Sequence, residues 1–557
     1  MRHLLPSLLL AAVAPLGLAG AQPPRPPAAA RVMNPDDARR RLGLLPDYAA
    51  VPGIKDVKVA VLDSGFDGVD GKRPYLPAGA VVVEHYDADF VKKFGLGDPK
   101  FTRPFTPGNS HGRLLAQLVW ATTGSSPDGP RFYLLNANGP TMFRRAVRMA
   151  IELKADVILF GGMFEGAGNY DGRGPINAAV DEAVAAGIIW VNAAGNTGGA
   201  VYNGPVDVGP DGFLRFGAAR AAALRFRNRL DENAATLTLT WNDYRDAEDA
   251  GTEKDLDLVV EDSRGQVVGE SKLVQVGPEK AVGEGLTKNP RERLILTDLA
   301  ATDVGSEYRV RIRANTPNFG PRDRVRLLLT PGRPPVPDPA AGKPASSVEF
   351  LDATRGGEIY PPADHAGVLT VGDLAPSSSA GPTADGRVKP DVIISDSSAR
   401  FSNGEETAGA SNAAAYFAGV VAVLRAAEPG LTAGHVREWV RALDRESAGA
   451  APAARDAARR PPPIPVRPLS PNEARALRYS GYALDEKLRR GDPDPRVIIS
   501  APGGSYVVTP GGRAGADPLP AARVASPPVA GRPTHPPHAA WRTPSPRQLT
   551  GLIRGTP

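Results

Sequence analysis

Four side chains of this 557-residue chain are of the types that acyl-transfer chemistry needs. A serine nucleophile requires a base to take its proton, a group to orient that base, and donors for the developing oxyanion. Ser411, in "GASNAAAYFAG" (409–419), stands at the start of an alanine-rich helical run, where its backbone N–H can stabilise negative charge. The chain has no cysteine, so a thiolate nucleophile, a thiolate metal site and disulfides are all excluded. Among seven histidines, His111 in "NSHGRLL" is the one that opens a helix after a Gly/Pro-rich approach. Asp63 closes the apolar run "VAVLDSG", and Asn196 in "NAAGNTG" follows another strand end, where its amide can donate to an oxyanion. Each residue alone also has a plain structural reading. Ser411 can be an N-cap, His111 a helix-cap or core histidine, Asp63 an Asx turn and Asn196 an ordinary turn residue.

The elements that must position these residues form a βα alternation. Strands are predicted over 57–63, 131–136 and 156–160, with 188–196 as strand then loop; the first is a continuous β-branched run expected of a buried parallel strand. Helices are predicted over 111–121, 141–155 with Thr141 as N-cap, and 174–187 with Pro175 in the first turn and Gly187 at the stop. Alternation of this length predicts an α/β fold with a doubly wound, mostly parallel sheet. In such sheets, ligand and catalytic groups gather outside the carboxyl ends of the strands, where Asp63 and Asn196 fall.

The pattern then changes. Period-2 runs between 213 and 331, such as "TLTLTW" (236–241) and "YRVRIRA" (308–314), predict an all-β sandwich. A Pro-rich linker follows at 332–345, and α/β character resumes with "GVLTVG" (367–372) and helices near 411–427 and 432–443. The sandwich is therefore read as an insertion in an α/β domain made of 46–212 and 346–445.

The four candidates occur in the chain order Asp, His, Asn, Ser, each in a matching local context. On these motifs, together with "SSSAGPTADGRVKPDVI" (377–393), the chain resembles the subtilisin-like serine peptidases over about 50–215 and 346–445. The resemblance implies that Asp63 orients, His111 acts as base and acid, Asn196 supports the oxyanion and Ser411 attacks. It further implies that Gly161 and Gly162 present backbone to an extended peptide. Ala193, Ala194 and Gly195 would form the facing wall of the first specificity pocket. The chemistry needs no cofactor, and polypeptides are the expected substrates.

Several positions depart from the family pattern. Arg113 stands near the expected base where threonine is usual, Ala410 where threonine usually precedes the nucleophile, and Ala415-Tyr416 where Pro-His is common. A catalytically impaired relative that uses its cleft for binding is the alternative these positions support. A surface-binding adhesin is a second alternative. A lipase-type α/β-hydrolase is disfavoured, because Ser411 lacks the G-x-S-x-G elbow.

The insert, with "LTLTWND" and "DLDLVVEDSRGQVV", resembles the pre-peptidase C-terminal β-sandwich modules of secreted peptidases. Asp243, Asp246, Asp255 and Asp257 are candidates for a structural calcium site, weighed against a solvated acidic edge, and no metal site is assigned. Residues 1–21 read as a secretory signal with a small-residue cleavage site at Ala19-Gly20-Ala21, so a secreted chain is expected. Residues 22–45 read as a linker or short leader, too short for an inhibitory pro-domain. No membrane span is expected, because Pro6 and Pro15 interrupt a run already short for one. The net charge of +5 is uneven: residues 446–557 carry 16 Arg/Lys against 8 Asp/Glu and 21 of the 57 prolines. That tail reads as a mostly flexible, solvated extension around one hairpin (496–509), with an anionic surface or polymer as its other reading. No nucleic-acid partner is expected, and the chain is read as a monomer.

Overall fold

The computed structural model describes residues 52–67, 109–125, 128–230, 233–247, 250–299, 307–332, 347–401 and 405–449. Beyond these it describes positions 69, 76, 77 and 80 and several short strands. In the first part of the chain, strands β1 (Arg31–Met33), β2 (Lys58–Asp63), β3 (Val81–Val83), β4 (Arg131–Asn136), β5 (Val157–Phe160) and β6 (Ile189–Ala193) are interleaved with three helices. These are α1 (His111–Thr122), α2 (Gly139–Glu152) and α3 (Pro175–Ala185). Helix α2 begins earlier than the sequence predicts, with Asn138 rather than Thr141 at its N-cap and Pro140 in its first turn. Proline's fixed φ suits a helix start, so the helix nucleates there and not at the threonine.

The next strands are β7 (Val201–Pro205), β8 (Leu224–Asn228), β9 (Asn233–Trp241), β10 (Leu256–Glu261), β11 (Val267–Ser271), β12 (Val274–Gln275) and β13 (Leu286–Thr287). After them come β14 (Arg291–Leu299), β15 (Glu307–Ala314), β16 (Arg324–Pro331) and β17 (Val348–Phe350). The chain then forms β18 (Leu369–Asp373), β19 (Val392–Ile394), α4 (Ala410–Ala427) and α5 (Ala433–Gly449).

Eight strands form the main sheet in the order β1-β19-β18-β6-β5-β2-β4-β3, and every neighbouring pair is parallel. The fold is thus α/β. Alternation along β2 shows why: Val59 and Val61 face a core shared with α1, α4 and α5, while Ala60 and Leu62 face a core shared with α2 and α3. A strand buried on both faces needs the continuous apolar run seen in the sequence. Strand β1 lies within the stretch expected to be a linker. It adds an edge strand paired with β19, and its three residues are too short a run to carry a periodic signal.

Between β6 and β18 the chain builds two antiparallel sheets, β11-β10-β15-β8-β17 and β14-β9-β16-β7. Leu237, Leu239, Trp241, Leu258, Val310, Ile312 and Leu327 from both sheets share one core. Antiparallel pairing therefore extends on both sides of 213–331, since β7 and β17 join these sheets. Both are short edge strands, which give little alternation to read.

Helix α4 is mostly Ala, Val and Leu and is buried along most of its length, 78% by residue. Its apolar length is that of a core helix packed on the sheet. In the tail, Val497–Ala501 pairs antiparallel with Gly504–Thr509, the expected hairpin. Two further tail strands, Val466–Pro468 and Arg523–Ala525, are described, whereas the expected signal at 1–21, the expected linker (332–345) after its first residue and most of the remaining tail lie outside the described residues.

Candidate functional site

Asp63 ends β2 and His111 begins α1, so both sit at the carboxyl edge of the sheet. The aspartate serves two purposes. Its Oδ1 accepts the Ser64 and Gly65 N–H groups at 2.8 and 3.0 Å, closing the strand as an Asx turn does. Its Oδ2 lies 2.7 Å from His111 Nδ1. A carboxylate can only accept, so Nδ1 carries the proton and Nε2 is left with its lone pair. Asn109 Oδ1 accepts the His111 N–H at 3.0 Å and fixes the start of the helix. The His111 side chain keeps 42% of its surface exposed, against 6% for Asp63. Partial burial opposes the imidazolium, but the Asp63 hydrogen bond and charge outweigh it, so the imidazole pKa is raised above 6.5.

Ser411 is the second residue of α4, and its Oγ donates to the Gly161 carbonyl oxygen at 2.9 Å. Gly161 directly follows β5, and a Cβ there would meet Leu115 Cδ1 at 2.4 Å and His111 Cε1 at 3.0 Å, with Ser411 Cβ at 3.5 Å. Only glycine fits, and the same geometry shows that histidine and serine converge on this one backbone position. The serine hydroxyl rests on the carbonyl, not on the imidazole.

Gly409 precedes the helix with φ 119°, a conformation that disfavours any side chain. This turn lets Ala410 N–H donate to Asn196 Oδ1 at 3.0 Å. Anchored through its oxygen, Asn196 keeps its Nδ2 exposed, with no partner among the described residues. The Ser411 N–H is one of the unpaired donors of the helix start. Two donors of the kind an oxyanion needs therefore lie beside the serine hydroxyl. Gly162 has its carbonyl oxygen tied to Asn192 Nδ2 at 3.1 Å. Ala193 and Ala194 are packed in the core behind the site, and Gly195 turns out of the strand with φ 109°.

The structure also recruits residues that the sequence gives no reason to select. Ser397 Oγ accepts the Gly409 N–H at 2.9 Å and donates to Asp373 Oδ2 at 2.6 Å. Asn412 Nδ2 donates to Ser397 O and to Thr407 Oγ1, both at 2.9 Å. Ser397 and Thr407 thus supply hydroxyls around the nucleophile turn, where the sequence shows only Ala410. Further back, Lys389 of "GPTADGRVKPD" is buried, with its ammonium on Asp391 and Val368 O at 2.7 Å, tying that stretch to β18. Arg113 does not direct its charge at the imidazole. Its guanidinium binds Glu405 Oε2 at 2.9 Å, Gln117 Oε1 at 2.9 Å and Asp67 O at 2.8 Å. Glu405 also accepts from Ser110 Oγ at 2.9 Å, so it links the start of the histidine helix to the chain leading into Ser411. A signal for this pairing existed only as the unusual arginine after "SHG".

Among the described residues, no three His, Cys, Asp or Glu side chains gather as a metal site. Asp243 is beside Lys254 at 3.4 Å, and Asp246 accepts the Gly174 N–H at 3.0 Å.

The model described as "Subtilase family" matches residues 54–454. Among solved structures, the Clostridium perfringens CspB protease is similar at 16% identity, covering 72% of this chain and 90% of that chain, with a TM-score of 0.44. MycP1 with its N-terminal propeptide removed is similar at 15% identity, covering 73% and 87%, with a TM-score of 0.28. No curated protein matches.

Proposed function

Because the chain belongs to the subtilase family, we propose that it is a secreted serine endopeptidase working through Asp63, His111 and Ser411. The observation that carries this reading is the 2.7 Å Asp63–His111 pair facing the same glycine as Ser411. An extended polypeptide adds along Gly161 and Gly162, with its first side chain directed towards the turn at Ala193 to Gly195. The Ser411 hydroxyl leaves the Gly161 carbonyl and turns to His111 Nε2, which takes its proton as Oγ bonds to the scissile carbonyl carbon. Asn196 Nδ2 and the Ser411 N–H receive the oxyanion. His111 then gives its proton to the leaving amine and the C–N bond breaks. Water, deprotonated by the same imidazole, hydrolyses the acyl-enzyme and restores the Ser411 hydroxyl. No metal or organic cofactor takes part in these steps, and the enzyme acts as a monomer.

The resting bond from Ser411 Oγ to Gly161 O also favours a second reading, a cleft that binds peptides without cutting them. A phosphonofluoridate-type serine probe separates the two. The endopeptidase reading expects wild type to label and to digest a peptide library at internal bonds, and Ser411→Ala to do neither. Wild type that fails to label under conditions that label an active relative sinks it.

A further inference from the structure

The inserted sandwich grips the stretch that runs from the serine's carbonyl partner to α3. After β5 the chain passes through Gly161 and Gly162 and reaches α3 at Pro175 without forming helix or strand. Met163 lies against the Gly195 turn, with its sulfur 3.1 Å from where a Gly195 Cβ would sit. Backbone groups in such a segment need partners from elsewhere. The sandwich partners two of them, Gly166 O and Gly174 N–H, and also binds side chains of the stretch. Asn169 and Tyr244 exchange two hydrogen bonds: Tyr244 N–H donates to Asn169 Oδ1 at 2.8 Å, and Asn169 Nδ2 donates to Tyr244 O at 2.9 Å. The buried Tyr244 hydroxyl donates to Gly166 O. Asp246 Oδ1 accepts the Gly174 N–H at 3.0 Å.

Tyr170 is the pivot of this seam. Its backbone sits at φ 63°, an uncommon conformation for a non-glycine residue and one that its surroundings must hold. Its hydroxyl meets Thr240 Oγ1 of β9 at 2.5 Å and donates to Glu165 O at 2.9 Å. The Arg326 guanidinium of β16, itself buried, lies 3.6 Å from the centre of its ring. The α/β domain bonds the stretch too, through Phe164 N–H to Pro361 O at 2.8 Å, Ala384 N–H to Tyr170 O at 2.7 Å, Arg387 Nη2 to Asp171 O at 2.8 Å and Gly172 N–H to Asp364 Oδ2 at 2.9 Å, so the sandwich adds the contacts to Gly166, Asn169 and the Tyr170 side chain.

We propose that the sandwich is a selectivity element: Tyr244 and Thr240 act as positioning residues that fix the 163–171 stretch and thereby the cleft edge along which an extended peptide lies. The proposal rests on the peptidase reading and assigns the insert to peptide length and fit, not to the bond-breaking step. Among the described residues, Asp63, His111, Asn196 and Ser411 make no hydrogen bond to Tyr244 or Thr240, so loosening the seam leaves the serine reactive.

The test is Tyr244→Phe, with Thr240→Val as a second, independent break, each in the full-length chain. One buried hydrogen bond lost from the seam corresponds to a rise in KM for an extended peptide of about tenfold. The kcat and the rate of Ser411 labelling by a small serine probe stay at the wild-type level. Amide exchange accelerates over 163–171 and stays unchanged in α4. Unchanged exchange over 163–171, or labelling and peptide turnover falling together, overturns the proposal. A wild type that neither labels nor cleaves sinks the peptidase reading instead, and the exchange pattern still decides whether the sandwich fixes this stretch.

Discussion

Asp63 and His111 meet through contacts that are short in sequence, whereas Ser411 is held by residues scattered along the chain. Asp63 and His111 are 48 residues apart, and the other oxygen of Asp63 is spent on the two residues that follow it. Ser411 bonds a carbonyl 250 residues away, and its preceding amide bonds Asn196 from 214 residues away. The acid–base half is set by where one strand ends and one helix begins. The nucleophile half depends on three separate parts of the sheet, at β5, β6 and β18, being in register with α4. His111 is therefore fixed by a direct contact with a carboxylate, while Ser411 is placed by its surroundings and rests on a backbone oxygen.

Breaking the nucleophile half at its centre has the largest expected effect. Ser411→Ala lowers kcat by about 10⁶-fold, the scale seen when a triad serine is removed, measured as peptide turnover by a variant that still melts like wild type. Asp63→Asn comes next, with a loss of about 10⁴-fold, because the amide no longer holds the productive tautomer. It also sharpens the comparison through pH. Neutral His111 is the active form, and its raised pKa places the acid limb of kcat/KM above pH 6.5 in wild type. Removing the aspartate charge moves that limb to lower pH, and a limb that stays in place contradicts the direct coupling of the first half. Asn196→Ala costs about 10²- to 10³-fold in kcat, the value of one oxyanion donor, with the acid limb unmoved.

The smallest effect is expected where the halves are joined. Glu405→Gln weakens the contact to Arg113 and lowers kcat by about three- to tenfold, or roughly 0.6 to 1.4 kcal/mol, with KM unchanged. If kcat is unaltered while only the melting temperature falls, the link from Glu405 to Ser110 and Arg113 is a matter of stability alone.

Much of the architecture could be read from local pattern. "VKVAVLD" is apolar on both faces, and only a strand covered by helices on both sides can bury it, as β2 is. The alternation in "TLTLTW" and "YRVRIRA" likewise reports strands with one face in a core. Strands β1, β7 and β17 escaped this reading because short edge strands owe their pairing to a neighbour rather than to a pattern of their own. In the site, Asp63, His111, Asn196 and Ser411 were visible because each sits at the end of an element with a recognisable start or stop. Ser397, Asp373, Asn412 and Glu405 were not visible. They are ordinary polar residues whose partners are fixed only once the loop before α4 has folded.

The missing proline of the serine motif makes the same point. Ala415 is buried within α4, and the shape of the nucleophile turn comes from Gly409, Asn196 and Ser397. The sequence alone determined the chemical inventory and the order in which strands and helices present it, since residue type and hydrophobic period are local properties. Tertiary structure decided that Arg113 is neutralised by Glu405, that the serine proton rests on Gly161, and that the inserted sandwich bonds the stretch after Gly162. Each of these is a contact between distant segments, and no local pattern encodes which distant partner a hydrogen bond will find.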